Sequence, residues 1–236
     1  MKRPWVCAAL AAAGCLLVTV GPVDAEFIEH DSYPSLSGIQ LTLTGPSGGA
    51  ETISFAGALQ IDVVFPGGEG SASDGDGNGR EEVPTELVAL SLTGSSPTLG
   101  TITLGLNASM ASMGSYEELF NATTGVLDIP PFVPSSPSVG ADSFFDVFFE
   151  ISVGGVVWHN MLAAKMAGAI DHKPATQALM ISILESFAPV ELVDEQQVGG
   201  YRIGGGGVSV PEPGTLVLLA FSLAGLAATA SRARRG

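Results

Sequence analysis

Short runs of alternating apolar and polar residues, separated by Gly, Pro and Ser, most constrain the fold of this 236-residue chain. Successive side chains of a β-strand point to opposite faces, so alternation with a period of two indicates a strand with one buried face. Strands of this length and spacing predict an all-β body, either a single sandwich or a barrel-like domain. The pattern recurs at Ile39–Thr44, Thr52–Phe55, Ala58–Phe65, Glu86–Leu92, Thr101–Leu106, Ser143–Ile151 and Val156–Trp158.

The heaviest of these runs is Ser143–Ile151, which ends before Gly154 and Gly155. It carries aromatic residues on both faces, which is typical of a central strand that is covered on each side. The run therefore predicts a central strand, and we expect core residues among Phe144, Val147 and Phe149.

Three segments have helical features. Ser115–Phe120 is the best candidate for a helical turn, because Ser115 and Glu118 have the spacing of a capping box. Met161–Ile170 and Ala175–Leu184 are ambiguous by propensity, and we interpret both as strands.

Residues 1–25 form a targeting segment. Lys2 and Arg3 precede the apolar run Val6–Val20, and Val23-Asp24-Ala25 ends in small residues. This order is typical of a secretory signal peptide that signal peptidase removes before Glu26.

Both cysteines of the chain, Cys7 and Cys15, lie inside this segment. A lipidated Cys15 is an alternative, but the apolar run continues through Leu16-Leu17-Val18, which favours the ordinary signal peptide. The exported body would then contain neither a disulfide nor a thiol nucleophile.

The C-terminal segment resembles a membrane anchor. Thr215–Ala230 contains no charged residue and is shorter than the about 20 residues that span a bilayer, so we extend the predicted helix to 214–231. Pro211 and Pro213 cannot continue a helix backwards. Residues 204–209 upstream are predicted to be a Gly-rich tether. The positive residues that follow the helix, Arg232, Arg234 and Arg235, predict that the body lies outside the cell.

Val210-Pro211-Glu212-Pro213-Gly214, the short apolar helix and the arginine cluster together resemble the PEP-CTERM sorting signal of exported bacterial proteins. The resemblance covers residues 210–236. It implies that Pro211, Glu212 and Pro213 are recognised by exosortase, a membrane protease, and that the body passes to the cell surface or the medium. An anchor that is not cleaved is the alternative.

The body, residues 26–203, is strongly acidic. The whole chain has a net charge of −15, and its body contains only the bases Arg80, Lys165, Lys173 and Arg202. Such a surface repels nucleic acid, so nucleic-acid binding is excluded.

Catalytic motifs are weak in this body. Its histidines, His30, His159 and His172, are scattered, and no nucleophile elbow or zinc-protease motif is present. The acidic pairs Glu81-Glu82 and Glu117-Glu118 suggest a glycosidase, but adjacent side chains on a strand point apart. We therefore predict no catalytic residues.

The sequence favours a structural or binding role at the cell surface or in extracellular matrix, with exopolysaccharide as a candidate partner. An extracellular hydrolase with an unrecognised carboxylate site remains the alternative.

The segment Ser73–Gly79 resembles the start of a calcium-binding loop. Asp74, Asp76 and Asn78 are spaced like its first three ligands. Glu82, or else Glu81 or Glu86, could complete the shell from the start of the next strand. The full loop pattern fails, because Thr85 stands where the bidentate Glu belongs. Calcium at Asp74, Asp76, Asn78 and Glu82 is one interpretation, and an acidic Gly-rich loop without a metal is the other.

Overall fold

The computed structural model describes residues 26–135 and 139–206, so the predicted signal peptide, membrane helix and sorting motif lie outside the described residues. Among the described residues no helix is long and apolar enough to cross a membrane. The body is all-β, as the alternating pattern predicts. Its elements are β1 (Phe27–Thr44), β2 (Ala50–Phe65), β3 (Glu82–Ser96), β4 (Gly100–Leu106), β5 (Ser112–Glu118), β6 (Ala141–Val147), β7 (Phe149–Val153), β8 (Val156–Asn160), β9 (Ala164–Ile170), α1 (Gln177–Leu184), β10 (Val190–Val193) and β11 (Gly199–Gly205).

These strands form one antiparallel sheet of 11 strands in the order β2-β1-β11-β10-β8-β7-β4-β3-β5-β6-β9. β2 also pairs with β3, so the sheet returns on itself and the strands from β2 to β3 in this order form a closed ring. β3 is the branch point, because Ser91–Ser96 pair with β4 whereas Glu82–Leu87 pair with β5. β5, β6 and β9 continue from the branch point, and we call these three strands the arm.

Inward-facing side chains fill the ring. On β2, the buried residues occupy every second position on either side of Gly57, and β3 shows the same alternation with a change of phase between Leu87 and Leu90. The cavity between Leu92 and Leu104 of the ring, Met166 of β9 and Leu184 of α1 has a volume of only about 10 Å³. This is close to the minimum that holds one water molecule, so the ring encloses a packed core.

Helix α1 covers β9, the outer strand of the arm, together with the residues that follow the helix. Thr176 caps the helix by accepting the Leu179 N–H at 3.2 Å. Beyond the helix, the Ser186 hydroxyl accepts the Ala167 N–H of β9 at 2.8 Å. An outer strand with unpaired N–H groups invites pairing with other chains, and this contact removes one such group.

Two local predictions were wrong. Ser115–Phe120 is not a helical turn, because residues up to Glu118 belong to β5, which pairs with β3 and β6. Two-sided pairing outweighs the local capping signal. Ala175–Leu184 is not a strand, because Gln177–Leu184 form α1. Thr176 supplies the cap, and Gln, Ala, Leu and Met in the first turn favour a helix. The strand interpretation of the preceding segment holds for β9.

The predicted central strand Ser143–Ile151 is divided at Phe148 into β6 and β7, which pair with different neighbours. Val147 and Phe149 are fully buried, as predicted. Phe144 is 47% exposed, so it is not one of the core residues of this run. Phe145 is the inward aromatic residue of β6, because the buried positions Phe145, Val147 and Phe149 alternate without a break and Phe144 points to the opposite face.

β11 continues through Gly204 and Gly205, which pair with Thr42 and Leu41, so the strand extends into the segment that the sequence assigns to a tether. A Cβ atom at Gly205 would overlap the Glu185 carbonyl oxygen. At Gly206 it would lie 2.6 Å from the Gln40 carbonyl oxygen. Close backbone packing therefore explains why glycine stands at these two positions.

Phe149 and Phe144 form a matched pair for a test of the core. We expect Phe149→Ala to lower the free energy of unfolding by about 3–5 kcal/mol, because the side chain is fully buried. Phe144→Ala should change it by about 0.5 kcal/mol or less, as is usual for surface positions. Equal losses in the two variants, measured by urea unfolding of the exported protein, would contradict this burial pattern.

Candidate functional site

The predicted calcium residues lie in the loop between β2 and β3. Both carboxylate oxygens of Asp74 accept backbone N–H groups, from Gly77 at 2.8 Å and from Gly79 at 3.0 Å. Asp76 Oδ1 accepts the Asn78 N–H at 3.0 Å. The loop therefore supplies its own donors to these oxygens, which is the Asx-turn geometry expected of an acidic Gly-rich loop.

The structure nevertheless brings several acidic side chains together at this loop. The pKa of Glu82 is raised, first by burial and then by the charges of Asp76, Glu117 and Asp74. Arg80 provides the opposing charge, with its Nη2 atom 2.6 Å from Glu117 Oε1. No group of three or more His, Cys, Asp or Glu side chains in residues 26–135 and 139–206 has a metal-binding arrangement.

Behind the loop lie three buried carboxylates, Glu81, Glu118 and Asp128. Glu81 accepts the N–H groups of Gly125 at 2.6 Å and Val126 at 3.0 Å. Glu118 accepts those of Glu81 at 2.9 Å and Asp128 at 3.2 Å. Burial raises the pKa of Glu118, and these two hydrogen bonds oppose the increase. The three carboxylates thus hold the chain between β5 and β6 in place.

The acidic pairs considered for a hydrolase are consequently separated. Glu81 and Glu118 point inward and bind backbone N–H groups, whereas Glu82 and Glu117 are only half-buried and lie at the acidic loop. The histidines do not converge either. His30 Nδ1 lies 2.6 Å from Asp62, His172 Nδ1 lies 2.5 Å from Asp171, and His159 lies on β8.

The aromatic residues considered for polysaccharide binding divide into two classes. Tyr33 and Tyr116 are buried in the core. Trp158 and Tyr201 are half-buried and pack edge to face, with ring centroids 5.0 Å apart. Tyr201 also lines an open surface groove of about 350 Å³, together with Pro46, Glu51, Thr98 and Leu99.

The structure contains one cluster that sequence reasoning missed. The Lys173 ammonium lies 2.9 Å from Asp31 Oδ1 and 2.9 Å from Glu29 Oε2. The side chains of Lys173 and Asp31 are each 1% exposed. Burial raises the pKa of Asp31, although the hydrogen bond from Lys173 opposes this. The available signal was the polar series Glu29, Asp31 and Tyr33 at alternate positions, which places three polar side chains on one face of a strand.

Comparison with known proteins identifies the C-terminal segment. A model described as the PEP-CTERM protein-sorting motif matches residues 209–235, which confirms the prediction made from Pro211-Glu212-Pro213 and the arginine cluster. The chain is thus an all-β protein that carries a PEP-CTERM sorting motif. This motif implies export, anchoring in the membrane and processing by an exosortase.

No curated protein matches the chain. Among solved structures, it is similar to DynF from the dynemicin biosynthesis pathway of Micromonospora chersina, at 19% identity and a TM-score of 0.46. That similarity covers 89% of this chain and 95% of DynF.

Proposed function

We propose that this protein is sorted by exosortase to the cell surface or extracellular matrix, where its β body has a structural or binding role. The sorting motif at residues 209–235 is the observation that carries the proposal. On this proposal, signal peptidase removes residues 1–25 and exosortase cleaves near Pro211–Pro213. The helix at 214–231 holds the body outside the membrane until that cleavage.

The packed interior supports a binding or structural role over a hydrolase. Enzyme sites are usually concave pockets with a few converging polar groups. In this body, the cavity between the ring, β9 and α1 has room for about one water molecule. The buried carboxylates Glu81 and Glu118 already accept two backbone N–H groups each. Any ligand would therefore contact the outer surface of the ring.

The groove beside Tyr201 is the surface that best fits an exopolysaccharide. Sugar rings pack their apolar faces on aromatic side chains and present hydroxyl groups to polar ones. Tyr201 supplies the aromatic face here. Glu51 lies at the same groove, where its Oε2 atom accepts the hydroxyl groups of Ser96 and Thr98, each at 2.8 Å. The short Glu51 hydrogen bonds keep its carboxylate in a fixed position toward a bound sugar.

Cell fractionation with intact-mass measurement tests this function. We expect the native chain in the surface or matrix fraction, without residues 1–25 and without most of the sorting motif. Replacing Arg232, Arg234 and Arg235 with Ala should leave unprocessed chain in the membrane, because the positive residues that set the orientation are lost. Arg202→Ala, a base of the body, is the matched control and should be processed normally.

The same fractionation tests the groove. Tyr201→Ala should move processed protein from the matrix to the medium, whereas Phe144→Ala, an exposed aromatic residue on the arm, should not. Normal size and location of the arginine variant would contradict the sorting role. Equal retention of the two aromatic variants would contradict the groove.

Calcium binding at the loop is a second candidate function, with Asp74, Asp76, Asn78 and Glu82 as ligands. The raised pKa of Glu82 supports it, because charges at Asp76, Glu117 and Asp74 repel the Glu82 carboxylate and a cation would relieve that repulsion. We expect weak binding, with a dissociation constant of about 10⁻⁴–10⁻³ M, as in extracellular modules.

Melting of the exported protein in chelator and in calcium tests this site. At ten times the dissociation constant, calcium should stabilise the body by about 1.4 kcal/mol. In chelator, Glu82→Gln should raise the melting temperature at neutral pH, because a carboxyl with a raised pKa opposes folding when it is ionised. Both Glu82→Gln and Asp74→Asn/Asp76→Asn should reduce the increase in melting temperature that calcium causes. The site is excluded if calcium does not raise the melting temperature of the native chain. It is also excluded if the exposed double variant Glu191→Gln/Glu195→Gln reduces the increase equally.

A further inference from the structure

Lys173 and Asp31 are buried at the side of β1 and form a three-residue cluster with Glu29, whose side chain is 32% exposed. Glu29 and Asp31 lie two positions apart on β1, so their side chains share one face. Lys173 lies between β9 and α1, and its backbone N–H donates to the Pro130 carbonyl at 2.7 Å. The Lys173 Nζ atom donates to Asp31 Oδ1 at 2.9 Å. Glu29 Oε2 lies 2.9 Å from the same nitrogen, at an angle unfavourable for a hydrogen bond.

Within this cluster, Lys173 and Asp31 are shielded from water. Lys173 Nζ lies 5.6 Å from the centroid of the Phe65 ring, and the side chains of Lys173 and Asp31 are each 1% exposed. Burial, and after it the charge of the neighbouring Asp31, raises the pKa of the Tyr33 and Tyr116 hydroxyls. A buried ion pair is favourable only when its remaining polar atoms are also satisfied. Asp31 Oδ2 is buried and has no hydrogen-bond partner among the described residues.

The Lys173 amine and the Asp31 carboxyl are also positioned as the two groups that react to form an amide. The amine and the carboxyl are in hydrogen-bond contact, and reacting atoms held at about 3–3.5 Å react far faster than the same groups free in solution. The reaction needs a lysine amine without its extra proton, which is a nucleophile. Burial raises the pKa of Asp31, the direction that eases transfer of a proton from the ammonium to this carboxylate. An amide carries no charge, so it is far less costly to bury than the ion pair.

We propose that Lys173 and Asp31 join spontaneously in a covalent amide between Lys173 Nζ and Asp31 Cγ, with Glu29 as the proton carrier. A proton passes from the ammonium to the Asp31 carboxylate, and the neutral amine attacks Cγ. Glu29 takes a second proton from the nitrogen and gives it to the leaving hydroxyl, so the C–O bond breaks and one water molecule departs. One hydrogen stays on the amide nitrogen, two leave with one Asp31 oxygen, and Glu29 is regenerated as carboxylate.

The amide would join two segments that are distant in the chain. Asp31 and Lys173 are separated by 142 positions, so the bond would tie the first strand of the ring to the segment between the arm and α1. Both cysteines lie in residues 1–25, so the body has no disulfide to perform this task. An amide cross-link would restrict the unfolded chain as a disulfide does, and reductants would not break it.

Intact-mass measurement of the denatured exported protein tests the cross-link. We expect a mass that is lower than the sequence requires by one water molecule, and a peptide map in which the peptides with Asp31 and Lys173 are joined. Cyclisation of Glu26 after cleavage, or dehydration at Asp74-Gly75, would also remove one water. The map separates these cases, and a loss located only at such a position contradicts the proposal.

Variants distinguish the amide from a buried ion pair. Lys173→Arg keeps the charge but should retain the full mass, whereas Lys165→Arg should still lose one water, because the Lys165–Asp146 pair is exposed. Asp31→Asn should lose ammonia in place of water. Glu29→Gln keeps both reacting groups and should leave most molecules uncrosslinked. If folded wild-type protein has the full mass and its Asp31 and Lys173 peptides are separate, the two residues form an ion pair and no amide. This outcome is measured on the wild-type protein, so it does not depend on the folding of any variant.

Discussion

The fold depends on the double use of β3. Along one side it pairs with β2, and along the other it pairs first with β5 and then with β4. The pairing with β2 closes the ring and removes two free sheet edges at once, which is the surest protection against pairing with other chains. The pairing with β5 starts the arm, whose outer strand β9 lies against α1 and the Ser186 hydroxyl. An exported protein without disulfides gains stability and solubility from this closure.

The second constraint is the acidic composition of the body. Most carboxylates lie on the surface, but Glu81, Glu118 and Asp128 are buried and accept backbone N–H groups from the chain around them. A buried carboxylate is tolerated when it accepts several such hydrogen bonds. The buried charge of Lys173 also needs partners, and it finds them in the two carboxylates of β1, Glu29 and Asp31. The buried charges thus fix the loops and connections that the apolar core does not reach.

Much of the fold could be predicted from the sequence, because period-two alternation is a direct consequence of strand geometry. It identified most of the strands, although not β5 or β11, and the outward and inward faces of β2. It could not predict the division at Phe148, because burial alternates without a break from Phe145 to Ile151 while the pairing partners change. Nor could it predict α1, which depends on the Thr176 cap and on packing against β1 and β9.

The candidate sites show the same limit. The C-terminal motif was recognised because its residues are contiguous in the sequence. Asp74, Asp76 and Asn78 of the acidic loop were noticed for the same reason, since they lie within five positions of one another. Lys173 and Asp31 are separated by 142 positions, so nothing local in the sequence indicates that they meet. The sequence predicted that the side chains of adjacent acidic residues point apart, but it did not predict that Glu81 and Glu118 are buried. The N–H partners of Glu81 and Glu118 depend on loop geometry and could not be predicted.

Closure of the ring through β2 and β3 is the central claim, and native-state hydrogen exchange of the exported protein tests it most directly. The amides that pair β2 with β3, from Leu59–Leu90 to Val63–Thr85, should exchange only when the whole body unfolds. Those of the arm strand β6, which lies outside the ring, should exchange faster through local opening. If the β2–β3 amides exchange faster than those of β6, the ring does not close and the packed interior loses its physical basis.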